Sequence, residues 1–143
     1  MHTRGRIVVG VDGSAASVEA IRWTIGQAEL TGSRILAVIG WQYPTQYGTE
    51  FYGEEIDWDE IAASTLHTAL IEAGIEDVSG IEQRVVQGHP AEVLIEASRG
   101  SDVVVVGSRG HGGFVGMLLG SVTERVLAHA CCPVLVVRHG KDP

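Results

Sequence analysis

The stretch that decides the fold runs Asp102-Val-Val-Val-Val-Gly-Ser-Arg-Gly-His-Gly-Gly-Phe-Val-Gly-Met-Leu-Leu-Gly-Ser-Val-Thr123. Its opening valines are typical of a strand buried on both faces of a parallel sheet, because such strands show no alternation with polar residues. The glycine-rich residues 107–116 predict a loop, and a helix is predicted to begin near Ser121. A buried strand, a loop and a helix in succession form a βα unit, which indicates an α/β protein.

The rest of the chain alternates in the same way, with further apolar runs and further segments that carry apolar residues at spacings of three and four. The predicted strands are Arg6–Val11, Ile35–Trp41, Ile81–Val86, Asp102–Val106 and Pro133–Arg138, and the predicted helices are Ala15–Leu30, Asp57–Ala73, Ala91–Arg99 and Ser121–Ala130. This pattern predicts a single doubly wound α/β domain over residues 1–143, a five-stranded parallel sheet with helices on both faces. Ligands of such sheets bind outside the carboxyl ends of the strands, where the strand order reverses.

The composition excludes several classes of function. The 143 residues include 10 basic and 18 acidic side chains, for a formal net charge of −8, and 45% are hydrophobic. An acidic chain of this kind lacks the basic surface that binds nucleic acids or acidic membranes. No apolar run approaches the roughly 18–20 residues of a transmembrane helix, and residues 1–5 precede a strand rather than a signal-peptide core. The adjacent Cys131 and Cys132 are not spaced for an ordinary structural disulfide, so we expect a cytoplasmic protein.

Lysine is nearly absent, which excludes a P-loop. The only lysine is Lys141, and the tripeptide Gly-Lys-Ser/Thr does not occur. A phosphate group would instead be held by amides of the glycine loop and of the following helix, with hydroxyls from Ser121 and Thr123 and the guanidinium of Arg109. The alternative is that the glycines merely serve tight turns. The position of the loop between a buried strand and a helix start favours the anion site.

The glycine spacing also carries a family resemblance. The segment Gly107-x2-Gly110-x9-Gly120-Ser121 matches, without a gap, the G-x2-G-x9-G-(S/T) nucleotide motif of the universal stress protein family. The segments Ile7–Ser14, Gly88–Ala91 and Cys132–Val137 resemble the same family, in the same order, so the likeness covers nearly the whole chain. The resemblance implies the ATP-binding subgroup and an adenine-nucleotide α-hydrolase-like, Rossmann-type sandwich.

The resemblance further implies a set of site residues. Asp12 would contact ribose or a metal-bound phosphate, the backbone at Val38 would contact adenine, and the glycine loop would hold the triphosphate. The residues expected to bind nucleotide are Gly10, Val11, Asp12, Val38, Gly107, Ser108, Arg109, Gly110, Gly120, Ser121, Val122 and Thr123. Magnesium would sit on the phosphates rather than in a protein cage, because Mg²⁺ keeps its waters. For Asp12 alone, the plainer alternative is a helix cap or an Asx turn.

The expected function is a nucleotide-dependent regulatory module of stress-response type. Family members commonly pair through the last strand, so the resemblance implies a homodimer through residues 133–138. No catalytic residue can be identified, and a weak ATPase, an autophosphorylating enzyme, or a binder of AMP or cyclic AMP are the alternatives. Apart from a loose His129-Ala-Cys-Cys cluster, the histidines and cysteines show no metal-ligand spacing. Six of the eight aromatic residues lie between Trp41 and Trp58, either as a lid or partner surface or, as we favour, packed against the sheet edge.

Overall fold

The computed structural model describes residues 5–43, 56–108 and 119–138. Its strands and helices confirm the predicted alternation. In chain order they are β1 (Arg6–Gly10), α1 (Ala15–Thr31), β2 (Arg34–Trp41), α2 (Trp58–Glu72), β3 (Glu82–Gln87), α3 (Pro90–Ala97), β4 (Val103–Gly107), α4 (Ser121–His129) and β5 (Val134–Val137), with a short 3₁₀ turn at Val78–Gly80 before β3. The largest difference from prediction is at the end of α3, which stops at Ala97 rather than Arg99.

The five strands form one all-parallel sheet in the order β3-β2-β1-β4-β5. The chain builds outward from β1 to β3 and then returns to place β4 on the other side of β1, so the order reverses between β1 and β4. Helices α1 and α2 enclose a core on one face of the sheet, and α3 and α4 enclose a second core on the other. The fold is therefore the predicted doubly wound α/β sandwich, with its crevice at the carboxyl ends of β1 and β4.

Local sequence signals explain where α1 begins and ends. The Ser14 hydroxyl accepts a hydrogen bond from the Ser17 amide at 3.2 Å, which satisfies one of the amides that a helix start leaves unpaired. At the other end Gly32 adopts a left-handed conformation with φ of 74°, and its amide donates to the Ala28 carbonyl. None of the helices in the described part of the chain is long and apolar enough to cross a bilayer.

Close packing at the end of β4 requires a glycine. A Cβ added at Gly107 would lie 2.7 Å from the Cβ of Ala16 and 2.8 Å from its carbonyl carbon. Carbon atoms in contact are normally about 3.5–4.0 Å apart, so no side chain fits there. Gly107 therefore lets the start of α1 lie directly against the end of β4, which brings the β1–α1 turn beside the β4–α4 connection.

Candidate functional site

The turn after β1 is organised by Asp12. One carboxylate oxygen of Asp12, Oδ1, accepts a hydrogen bond from the Ser14 amide at 2.8 Å, which is an Asx turn. Gly13 has a φ of 84°, a value that glycine adopts without strain. The Asx turn that was the plainer alternative for Asp12 is therefore present. Asp12 is half-buried, and the structure gives no partner for its second oxygen within the described residues, so the turn does not preclude ligand binding.

Two hydrogen bonds close the connection between β4 and α4 at its base. The Thr123 hydroxyl donates to the Gly107 carbonyl at 2.8 Å, and the Gly120 amide donates to the Ser108 carbonyl at 2.8 Å. Ser108 is itself buried, and its amide donates to the Val137 carbonyl of β5. The first turn of α4 is therefore fixed to the carboxyl end of the sheet. Because the Thr123 proton is already donated to Gly107, this hydroxyl positions the helix in the structure, whereas the Ser121 side chain is exposed.

The amino end of α4 differs from those of the other helices in its capping. Helices α1, α2 and α3 have side-chain caps from Ser14, Asp57 and His89, respectively. The N-cap of α4 is Gly120, and among the described residues no side chain caps this helix. The amides at positions 121–123 cannot have partners within the helix, and they point out of its amino end, where the helix dipole attracts an anion. The backbone at Gly120 is extended, with φ of −76°, so glycine is not needed there for conformation.

The sheet brings the remaining predicted residues to the same edge. Val9 pairs with Val105, so Gly10 is level with Val106, and Val11 follows the end of β1 close to Gly107 at the end of β4. Val38 lies on the other side of β1, opposite Gly10. Its side chain is 1% exposed and its carbonyl accepts from the Val11 amide at 2.9 Å, so a contact with adenine there would use a carbonyl that already has one partner.

Not all predicted positions can be placed. Arg109 and Gly110 lie outside the described residues, as do His111 and the aromatic residues Tyr47, Phe51 and Tyr52. Of the predicted set, Gly10, Val11, Asp12, Gly107, Ser108, Gly120, Ser121, Val122 and Thr123 gather around the β1–β4 crevice, with Val38 one strand away.

An aromatic pair, Trp41 and Tyr43, also borders this edge, and neither residue was among the predicted nucleotide-binding residues. The Trp41 indole Nε1 donates to the Asp59 carboxylate at 3.1 Å, and its ring meets Tyr43 with centroids 5.3 Å apart. Trp41 packs against the core on the α1 and α2 side, as expected for an aromatic at the sheet edge, whereas Tyr43 is 60% exposed. The concentration of aromatics after Trp41 was the available signal.

Charged and thiol groups elsewhere are arranged on the α3 and α4 side. Arg125 on α4 pairs with Glu92 on α3, and this hydrogen bond holds the pKa of Glu92 below its ordinary value. Partial burial raises the pKa of the Cys132 thiol, whereas Cys131 is exposed. Within residues 5–43, 56–108 and 119–138 there is no group of three or more His, Cys, Asp or Glu side chains that could hold a metal ion.

Comparison with known proteins places this geometry in a family. Residues 3–138 match the model of the universal stress protein family. A universal stress protein of Thermus aquaticus is 32% identical over 136 residues, covering 92% of this chain and 97% of that protein. Universal stress protein Rv2624c of Mycobacterium tuberculosis is 32% identical over 142 residues, and the match covers 98% of this chain but 50% of that protein. The chain thus spans about half the length of this mycobacterial relative.

A solved structure gives the same result in three dimensions. A universal stress protein crystallised in complex with cAMP superposes with a TM-score of 0.65 at 25% identity, covering 95% of this chain and 98% of that one. The match in sequence extends over nearly the whole chain, and the match in fold includes the sheet that carries the candidate site. The chain therefore belongs to the universal stress protein family.

Proposed function

We propose that this chain binds ATP at the carboxyl ends of β1 and β4 and acts as a nucleotide-dependent regulatory module in the response to stress. The observation that carries the proposal is the amino end of α4, which no side chain of the described residues caps and which the Thr123–Gly107 hydrogen bond fixes to β4. Preorganised amides of this kind bind phosphate oxygens without the cost of ordering a loop end. The glycine spacing from Gly107 to Ser121 supports the same assignment.

Each group at the crevice has a part in this proposal. The amides at 121–123 and the hydroxyl of Ser121 bind phosphate oxygens, and Arg109 adds positive charge. The second carboxylate oxygen of Asp12, which has no partner among the described residues, accepts a ribose hydroxyl or lies against a hydrated Mg²⁺ on the phosphates. Magnesium fits this arrangement because the ion takes few protein ligands and keeps several waters when phosphates bind it.

Another adenine nucleotide is the second candidate, because the related structure with cAMP holds a nucleotide with one phosphate. ATP is preferred here because the stretch from Gly107 to Ser121 offers amides, hydroxyls and an arginine for several phosphates, more than one phosphate needs. The two ligands can be told apart directly. Freshly purified protein is denatured and any released small molecule is identified by chromatography and mass spectrometry, and calorimetry then compares ATP, AMP and cAMP. Protein that releases no nucleotide and binds none of the three contradicts the proposal.

The substitution Gly120→Val tests the phosphate site without a conformational penalty at the mutated residue. The extended backbone at Gly120 suits a β-branched residue, but the added side chain stands at the start of α4, where the phosphates are proposed to lie. We expect ATP binding to be abolished with the fold intact by circular dichroism. The matched control is Gly26→Val on α1, where a Cβ meets nothing within 4 Å. Unchanged ATP affinity in folded Gly120→Val protein would overturn the site.

The proposed homodimer uses the free edge of β5. Strand β5 pairs with β4 on one side only among the described strands, and all four of its residues are half-buried. The carbonyls of Pro133 and Val137 accept hydrogen bonds from the amides of Val104 and Ser108. Because alternate residues of a strand face opposite neighbours, the amide of Val136 points away from β4. An apolar edge strand with outward amides can pair with a second copy.

The dimer proposal is tested with Val136→Pro. Proline removes one outward N–H and is tolerated on an edge strand, so the fold and the β4 pairing should persist. We expect light scattering to give a dimer for the wild type and a monomer for the variant at micromolar concentration. A wild-type monomer, or a variant that stays dimeric, would exclude pairing through β5.

A further inference from the structure

The aromatic pair at the end of β2 lies on the same edge of the sheet as the proposed phosphate site. Strands β2 and β4 flank β1, so they lie about two strand spacings, or about 10 Å, apart across the sheet, and β2 continues three residues past Val38, the partner of Gly10, to Trp41. The order β2-β1-β4 therefore offers three neighbouring positions along the edge. They are the aromatic pair after β2, Asp12 after β1, and the amino end of α4 after β4.

Trp41 is held firmly at its position. Its indole N–H is satisfied by Asp59 at the start of α2, its ring packs on the core of the α1 and α2 face, and its carbonyl accepts from the Gly88 amide at 2.8 Å. The Trp41 indole N–H and ring thus already have partners within the protein. Trp41 accordingly supports the Tyr43 ring that it contacts.

Tyr43 is different because the fold leaves it uncovered. Its ring stands at 81° to the Trp41 ring in an edge-to-face contact, and the residue is 60% exposed. Among the described residues, Tyr43 is the only aromatic residue in the group of exposed large apolar residues. An exposed aromatic ring at the edge of the sheet that carries the proposed anion site is suited to stack on a planar base.

We propose that Tyr43 stacks on the base of the bound nucleotide, with Trp41 as its positioning residue; this rests on the proposed nucleotide site. Along the edge of the sheet, the phosphates lie at α4, the ribose at Asp12 and the base over β2 against Tyr43. Stacking accepts any base because every base has a π-face. Tyr43 therefore strengthens binding of a nucleotide over a bare polyphosphate and does not by itself select adenine over guanine.

The experiment compares ATP with inorganic tripolyphosphate, which has the phosphates and no base. Calorimetry gives the affinity of ATP and of tripolyphosphate for wild-type protein, Tyr43→Ala and Tyr43→Phe. Where one ligand binds too weakly to be titrated directly, its affinity is obtained by competition with ATP. We expect Tyr43→Ala to bind ATP about tenfold more weakly and tripolyphosphate as tightly as the wild type does. Tyr43→Phe keeps the ring and should retain ATP affinity within about twofold. Leu30→Ala, which removes an 84% exposed side chain on α1, is the control for surface truncation.

The outcomes separate this inference from the proposed function. If wild-type protein binds ATP and Tyr43→Ala binds it equally well, the stacking role is wrong and the nucleotide site stands. Equal losses for ATP and tripolyphosphate would show that Tyr43 shapes the site generally, which also overturns the stacking role. If the wild type binds neither ligand, the proposed function and this inference both fail.

Discussion

The contact between Gly107 and α1 predicts that Gly107→Ala destabilises the protein. The new methyl group would stand 2.7 Å from the Cβ of Ala16, and 2.8 Å and 2.9 Å from its carbonyl carbon and oxygen. To restore a carbon–carbon separation of about 3.5 Å, the start of α1 and the end of β4 must move apart by roughly 0.8 Å. A rotamer change cannot achieve this, because the obstructing atoms include the backbone of Ala16. Overpacking of this kind costs about 1–3 kcal/mol. With a urea dependence of about 2 kcal/mol per molar, the unfolding midpoint should fall by about 0.5–1.5 M.

The matched control is Gly26→Ala in the middle of α1. A Cβ at Gly26 meets nothing within 4 Å, so alanine there should raise stability by about 0.8–1 kcal/mol through its higher helix propensity. The two glycine-to-alanine changes should thus move the midpoint in opposite directions. A Gly107→Ala protein as stable as the wild type would refute the packing argument, and would mean that this glycine is present only for a ligand.

Three further predictions concern a buried hydroxyl, the thiols and acid stability. Thr123→Val should cost about 1–3 kcal/mol in urea unfolding, because it leaves the Gly107 carbonyl without its donor, whereas Thr123→Ser should retain most of that stability. Iodoacetamide at pH 8 should alkylate Cys131 before Cys132, since burial raises the pKa of the Cys132 thiol; peptide mass mapping that finds Cys132 modified first would contradict this. The lowered pKa of Glu92 means that its ion pair stabilises the fold above the unfolded-state pKa near 4.5 and is lost as the pH falls through the lower folded value. Between pH 7 and pH 3 the urea midpoint should therefore fall less in Glu92→Gln than in the wild type, and equal falls would exclude the contribution.

Most of the fold could be predicted because its signals are local. The valine run of β4 has no polar alternation, and α1 has a serine at its start and a glycine at its end, so each element is evident from its own residues. The order of the strands does not follow from the run of elements alone. It depends on contacts between distant segments, such as the half-buried Arg6 guanidinium, which donates to the Ser101 hydroxyl and the Ala97 carbonyl at the end of α3.

The sequence predicted a position for the candidate site but not the hydrogen-bond partners of its groups. The glycine spacing identified the connection between β4 and α4, yet the sequence could not distinguish a hydroxyl that binds phosphate from one that binds the protein. Thr123 proves to donate to Gly107, a partner 16 residues away. Likewise, a glycine motif does not show that Gly107 is required by packing whereas the backbone at Gly120 would accept other residues. Such distinctions depend on neighbours that only the folded chain brings together.

The hydrogen bonds that close the base of the β4–α4 connection bear on how a protein of this kind can evolve. Thr123 and the Gly120 amide hold the start of α4 at the end of β4. The position of the helix on the sheet therefore depends on the two ends of the connection. Substitutions between these two ends leave both hydrogen bonds in place, and segments that connect packed elements generally tolerate change better than the elements themselves. Ligand preference can diverge between descendants of one gene while the scaffold is inherited unchanged, and a laboratory library confined to residues 109–119 should sample new specificities on a stable host.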